Sequence, residues 1–205
     1  MKMSNFLPEG YEEPRSKNAG NYFRLNDKSL PEQTERIRVM GTFAEPHTAI
    51  MGWESWKEFT DPETGKVSEQ PIRMEHTHDN HDKMVEIDRD GNPRHFWAIQ
   101  IFNVDNNEAQ VWGITQRTIQ RQLRSFSENP NWGNPQNYVI AVTRQGSGLK
   151  TSYTLMPEPP IQPPDDETLR IMSEAKIDLR QMFADQGRGL NPFGAMDGES
   201  DEVPF

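Results

Sequence analysis

The sequence predicts a mainly β domain built as a small Greek-key barrel, with one helix inserted between strands. Three observations lead to this fold class. Short segments in which apolar and polar residues alternate recur between turn-forming residues, which is typical of strands. A single segment in the middle of the chain has helical spacing instead. After residue 157 prolines and then acidic residues dominate, which predicts a linker, a C-terminal helix and a disordered acidic tail.

Three predicted strands lie in the first half of the domain, after an irregular arm at residues 1–20. They are residues 21–25, 35–40 and 49–59. In the second of them Ile37 and Val39 alternate with two arginines, which predicts one apolar and one basic face. The third strand is rich in aromatic residues, and Gly52 within it indicates a bulge.

Residues 61–94 are predicted to form a long loop insert, because turn-forming residues recur there with little periodicity. The insert holds nine acidic against five basic residues. Within it, His76, His78 and His81 lie two and three residues apart, with the carboxylates Asp79 and Asp82 among them. Such spacing is a weak signal for a zinc or other divalent-metal site, and a polar flexible loop is the alternative interpretation.

The second half predicts a hairpin, a helix and two further strands. The hairpin strands are residues 95–102 and 109–115, and the last two strands are residues 138–144 and 151–156. Between the two pairs, Ile119, Leu123 and Phe126 follow helical spacing, with Thr115 or Thr118 as the expected N-cap. Short strands arranged around one helix in this order are typical of a five-stranded Greek-key barrel of the OB type, here over residues 21–157.

The C-terminal region divides into linker and helix at residues 158–196 and a tail at residues 197–205. Residues 157–164 contain five prolines, which predicts an extended linker. A helix is expected from residue 165 to about residue 183, docked on the domain or on a partner. The tail is acidic throughout and ends on an aromatic ring, which suits a basic pocket with an apolar floor on another protein. The predicted partner-binding residues are Asp197, Glu199, Asp201, Glu202, Pro204 and Phe205.

Charge and composition limit the function classes. The chain has 205 residues, 33% of them hydrophobic, and a net charge of −10, which argues against nucleic-acid binding if taken as a whole. The charge is unevenly distributed, because residues 158–205 hold eleven acidic against four basic residues, whereas residues 95–157 hold three against five. A locally positive surface therefore remains compatible with the total. The sequence has no cysteine and no apolar run typical of a signal peptide or membrane span, so we expect a cytoplasmic protein.

Five segments and one turn carry a family resemblance. They are residues 21–25, 95–98, 114–120, 138–148 and 153–157, with Trp132, Gly133 and Pro135. Together they resemble single-stranded DNA-binding proteins of tailed bacteriophages, and the acidic tail resembles the partner-binding tip of such proteins. The resemblance implies an OB-fold protein that coats single-stranded DNA during replication, recombination or repair in the host cytoplasm. It also implies that the tail recruits replication and recombination proteins. The histidine-rich insert departs from the family pattern.

Sequence-independent binding of single strands needs aromatic faces for the bases and cations for the phosphates. Period-two geometry places Trp53 and Lys57 on one strand face, which is the first choice for a stacking surface, and Trp56 on the other. Phe96 and Trp97 point to opposite faces, so one of them is expected to face DNA, while Trp112 is assigned to the core. The arginines of the central helix form either a phosphate-binding face or a solvated surface. The predicted DNA-binding residues are Arg36, Arg38, Trp53, Lys57, Arg94, Phe96, Trp97, Arg144, Lys150 and Tyr153.

Two other function classes stay open on the sequence alone. A metal-dependent nuclease or hydrolase would use His76, His78 and His81 with Asp79 and Asp82. A protein-binding adaptor would use the tail and the C-terminal helix without binding DNA. The sequence contains no nucleophile constellation, phosphate-binding glycine loop or His-Glu-x-x-His motif, so we expect neither an enzymatic activity nor a cofactor.

Overall fold

The computed structural model describes residues 22–25, 30–60, 65–88, 90–183 and 192–193. These residues confirm a mainly β fold, but their sheet has seven strands and not the predicted five. The strands are β1 (Glu32–Val39), β2 (Ala49–Thr60), β3 (Val67–Glu75), β4 (Arg94–Asn103), β5 (Glu108–Ile114), β6 (Val139–Gln145) and β7 (Ser152–Glu158). The helices are α1 (His78–Ile87), α2 (Arg117–Glu128) and α3 (Asp166–Glu174), with 3-10 turns at Pro135–Asn137, Gly148–Lys150 and Leu179–Phe183. The predicted arm at residues 1–20 and the tail at residues 197–205 lie outside the described residues.

The strands pair antiparallel in the order β3-β2-β4-β1-β6-β7, and β5 pairs with β4 outside this path. β5 lies along one edge of β4, whereas β1 and β2 follow each other along the opposite edge. Val39 is opposite Ile101 and Ala49 is opposite Ile99, so residues 40–48 leave the sheet and return to it at Gln100. β4 therefore pairs with β1, β2 and β5, and it connects the strands that contribute to the site described below.

The first hydrophobic core lies between the sheet and α2. Its residues come from β1, β2, β4, β5, β6, β7 and α2, and Ile37, Ile101, Ile114 and Ile140 are fully buried in it. Trp112 also belongs to this core, as predicted, and its ring meets that of Phe23 edge-on at 5.5 Å. Alternation along the strands follows from this arrangement, because every second side chain must enter the core.

A second core lies on the opposite face of β4. Phe96 and Ala98 are buried there against the segment that follows α3, chiefly Ile177, Leu179 and Met182. The C-terminal region docks on the domain, which is one of the two alternatives expected for it, but the prediction of a continuous helix to residue 183 is wrong. α3 ends at its C-cap Ala175, Lys176 adopts a left-handed φ of 48°, and the chain resumes as the short turn Leu179–Phe183. That break lets the segment lie flat on the sheet.

The insert at residues 61–94 is not the predicted loop. It contains β3, which pairs with β2 along its length, and α1, which packs against both strands. Periodicity is weak there for two reasons. β3 is an edge strand that carries Pro71 and charged side chains, as edge strands commonly do. α1 buries only one side chain fully, that of Met84.

Three local predictions are also corrected. Of the strand predicted at residues 21–25, the described residues 22–25 form only an isolated parallel bridge between Tyr22 and Val111, and Phe23 is buried in the first core. The register runs through Gly52 without a bulge; a Cβ there would meet the carbonyl oxygen of Met74 at 2.2 Å, so the glycine permits close approach. The N-cap of α2 is Gln116, which makes no side-chain capping bond, and not a threonine.

Among the described residues, the outer edge of β7 is bound by a side chain and not by another strand. Gln122 of α2 accepts a hydrogen bond from the Leu155 N–H at 2.9 Å and donates one to the Tyr153 carbonyl at 3.2 Å. The Gln122 amide thus forms hydrogen bonds with two backbone groups at the edge of β7 that an adjacent strand would otherwise bind. None of the helices in the described part of the chain has the length and apolar composition needed to span a membrane.

Candidate functional site

The pairing of β2 with β4 brings aromatic residues together on one face. Trp53 is opposite His95, and Met51 is opposite Trp97, so the two tryptophans and the histidine project from the same side of the sheet. This side continues from the first core, against which Trp97 packs with part of its ring exposed. The aromatic residues therefore extend the core towards solvent at one end of the sheet.

Six rings form a contiguous surface, which we call the Trp53 cluster. The indole of Trp53 has three imidazole neighbours, His76 at 5.1 Å, His81 at 4.5 Å and His95 at 5.3 Å between ring centroids. His76 and His95 also touch each other, with centroids 4.7 Å apart. His95 then leads to Trp97 at 6.4 Å, and Trp97 to Phe43 at 5.3 Å. The members of the cluster are Phe43, Trp53, His76, His81, His95 and Trp97.

Helix α1 positions one of these histidines, His81. Thr77 caps the helix, its hydroxyl accepting from the Asn80 N–H at 3.2 Å, and its carbonyl accepts from the Trp53 indole N–H at 3.2 Å. At the other end, the Ser55 hydroxyl donates to the Asp88 carboxylate at 2.6 Å. Because Met84 is fully buried against the strands, the first turn of α1 is held over β2 with His81 at Trp53.

Asp88 is the anchor at the end of this helix. The hydrogen bond from Ser55, together with the backbone N–H groups of Asn92 and Asp90, lowers the pKa of its carboxyl group. The nearby charge of Arg94 acts in the same direction. The ionised carboxylate thus ties α1, the turn that follows it and β2 together.

His95 lies at the centre of the Trp53 cluster. Burial lowers the pKa of its imidazole, and the neighbouring His76 and Arg117 lower it further because a second positive charge nearby is unfavourable. Gln120 of α2 donates to the carbonyls of His95 and Ile114 at 3.2 and 3.1 Å, which fixes the start of α2 against β4. The indole N–H of Trp97 has no hydrogen-bond partner within the described residues.

Cations border the cluster. Lys57 is exposed on the strand face of Trp53, and Arg117 is exposed at the start of α2 beside His95. Gln116 and Thr118 flank Arg117 and line a cleft of about 410 Å³. The remaining residues that line this cleft are Thr151, Ser152 and Tyr153. The cleft therefore lies next to Arg117, whose charge also acts on His95.

Several predicted DNA-binding residues are engaged within the protein. Arg36 pairs with Asp105 at 2.7 Å. Arg38 is buried and donates to the carbonyls of Gln136 and Gln162 at 3.1 and 2.8 Å. Arg144 is buried as well and donates to the carbonyls of Gly146 and Leu30, both at 3.0 Å. These guanidinium groups fasten loops to the sheet.

The remaining predicted residues separate by face. Phe96 and Trp97 point to opposite faces, as expected, and Phe96 is the one buried in the second core. Arg94 and Lys150 are exposed, and Tyr153 is half-buried against the first core. Trp56 points away from Trp53, as expected, and is 40% exposed.

Sequence reasoning missed Phe43, His95 and Gln120 as parts of the site. Phe43 lies in the loop at residues 40–48, where no periodicity indicates a partner. His95 shares strand parity with Trp97, which was the available signal. Gln120 directly follows Ile119 of the apolar stripe of α2, and this position beside the stripe was the available signal. The structure shows that the Gln120 side chain is buried there.

The three histidines of the predicted metal motif do not converge. His78 is 87% exposed at the start of α1 and lies 3.6 Å from Asp82, whereas His76 and His81 turn towards Trp53. Within the described residues, no group of three or more His, Cys, Asp or Glu is arranged to hold a metal ion. The imidazoles at this site are therefore aromatic neighbours of a tryptophan.

Comparison of the chain with protein-family models, with characterised proteins and with solved structures found no match.

Proposed function

We propose that the protein binds single-stranded DNA without sequence preference, through the Trp53 cluster and the cleft lined by Gln116, Thr118 and Tyr153. The observation that carries this proposal is the run of contiguous rings, half exposed on one sheet face, with Arg117 near His95 and Lys57 further along the strand face of Trp53. Flat rings accept bases of any identity by stacking, and cations beside them neutralise phosphates. The biological setting we propose is DNA replication, recombination or repair.

The connectivity of the sheet supports an OB-type barrel as the scaffold. β1, β4, β5, β6 and β7 would be its five strands, with pairings β1–β4, β4–β5, β1–β6 and β6–β7 and with α2 between β5 and β6. OB barrels bind oligonucleotides at the face of the second and third strands and at the loops after the first and fourth. In this assignment the loop after the first strand is the region that carries Phe43, Trp53 and α1. The loop after the fourth carries Lys150. In this assignment the Trp53 cluster would lie at the strand face and loops with which such barrels bind oligonucleotides.

The tail adds a partner-binding role to this proposal. Asp197–Phe205 would recruit replication and recombination proteins, since its acidic groups and terminal ring suit a basic pocket with an apolar floor. These residues lie outside the described part of the chain, and this role rests on the sequence alone. Neither the hydrolase nor the adaptor alternative is supported by a specific contact in the site.

Fluorescence anisotropy with a labelled oligo(dT) tests the DNA-binding proposal. The wild-type protein should bind the single strand and bind a duplex of equal length far more weakly, because paired bases cannot stack on the protein. Trp53→Ala should weaken single-strand binding about fivefold or more, since one base–aromatic stack contributes about 1–3 kcal/mol.

Trp56→Ala is the matched control for that measurement. It removes a tryptophan from the same strand but from the opposite face, and it should leave the affinity unchanged. Tight duplex binding, or no single-strand binding by the wild type at low salt, would exclude the proposed function.

A further inference from the structure

The contact between Trp53 and His76 differs from every other ring contact described in the chain. Its two ring planes are 29° apart, whereas the other ring pairs in the described residues meet at 57° or more. Bases that stack on a protein aromatic lie nearly parallel to it. The His76 imidazole thus occupies the position that a base stacked on this face of Trp53 would take.

His76 is free to leave that position. Its side chain is exposed, it makes no hydrogen bond with a described residue, and it lies in the bend between β3 and α1. Trp53 is held more firmly, since its indole N–H donates to the Thr77 carbonyl and its strand is paired on both sides. Rotation of the His76 side chain would therefore uncover the indole face without moving the sheet.

We propose that His76 fills a nucleobase subsite on Trp53 and is displaced when a base of single-stranded DNA stacks there. This inference rests on the proposed function and adds the location of one base. His76 acts as an internal competitor, and its contact with Trp53 is lost when DNA binds. The neighbouring His95 and His81 stay in place as the walls of the subsite, because one is in β4 and the other in α1.

Oligo(dT) titrations of His76→Ala, followed by anisotropy, test the subsite. Removing the competitor should tighten binding about two- to tenfold, the range expected for loss of one aromatic contact from the free protein. His78→Ala is the matched control, since it also removes an imidazole, lies two residues away and does not touch Trp53. It should bind as the wild type does.

A second variant, His76→Phe, tests whether the change in DNA affinity of His76→Ala is due to the loss of the ring. Phenylalanine keeps a ring against the indole, so its affinity should equal the wild-type value or fall below it. Unchanged or weaker binding by His76→Ala, or tighter binding by His76→Phe, would overturn the subsite while leaving single-strand binding intact. Absence of binding by the wild type would overturn both proposals.

Discussion

Phe96 and Trp97 are neighbours in β4 and have opposite surroundings. Phe96 lies under the segment at residues 177–183, where its ring meets that of Phe183 at 5.9 Å and is almost fully buried. Trp97 lies on the other face, touches Phe43 and His95, and stays partly exposed. The C-terminal segment thus covers one aromatic face of the sheet and leaves the other as the candidate binding surface.

The polar groups on the two faces differ in the same way. Glu54 is buried on the Phe96 face and accepts from Arg73 at 2.8 Å, and the Arg73 guanidinium lies 5.5 Å above the Phe96 ring. This closed arrangement satisfies its charges internally. On the Trp53 face, Lys57 and Arg117 remain exposed. A buried charge needs its partner, because removing one member of the pair leaves the other uncompensated, whereas exposed cations can bind an anionic ligand.

The largest expected effect on stability comes from replacing Phe96 and Trp97 by alanine, one at a time. Phe96→Ala should lower the free energy of unfolding by about 3–5 kcal/mol, because a buried ring leaves a cavity that the second core cannot fill. Trp97→Ala should cost clearly less, since its ring is already part exposed, and should instead weaken oligo(dT) binding. Urea denaturation measures the first quantity and anisotropy the second. Equal losses of stability in the two variants would contradict the distinction between the faces.

The covering segment provides the next test. Leu179→Ala should destabilise the protein by about 2–5 kcal/mol, because Leu179 is fully buried against the Phe96 face. Single-strand binding by the folded variant should not change. Leu169→Ala is the control, since Leu169 is exposed on α3 and its removal should cost less than about 0.5 kcal/mol. A large fall in oligo(dT) affinity of folded Leu179→Ala would show that the two faces are coupled.

The smallest expected effect is a pH dependence confined to the histidine face. The pKa of His95 is lowered in the folded protein, so the unfolded chain takes up a proton first as the pH falls. The stability due to neutral His95 is therefore present above the unfolded pKa and is lost as the pH falls through the folded one. Melting temperatures measured from pH 8 to pH 5 should fall less in His95→Gln than in the wild type. An equal fall in both proteins would exclude His95 as the source.

Local sequence patterns predicted most strands of the sheet, but they did not predict which segments would cover its two faces. Ile37 and Val39 identified β1 because alternation follows directly from burial of one strand face. Ser55 and Glu54 in β2 are polar and yet buried, because Asp88 and Arg73 from distant positions form hydrogen bonds with them. A polar residue in a sequence does not indicate whether a partner will reach it.

The candidate site, too, could be predicted only in part from local sequence patterns. Strand parity correctly separated Trp53 from Trp56 and Phe96 from Trp97, since it depends only on neighbouring residues. It did not reveal that Arg38 would be drawn inward by the Gln136 and Gln162 carbonyls, because that contact spans 98 and 124 residues. The spacing of the histidines indicated a metal motif, whereas the fold turned His76 and His81 towards an indole.

By itself, the sequence determined the mainly β class, the positions of most strands and of α2, and which side chains share a strand face. These properties follow from period and local backbone preference, which act over a few residues. Only the tertiary structure decided which face the C-terminal segment covers, why Gly52 must lack a side chain, and which rings meet at Trp53. Those outcomes depend on contacts between residues far apart in the chain, where no local pattern records the partner.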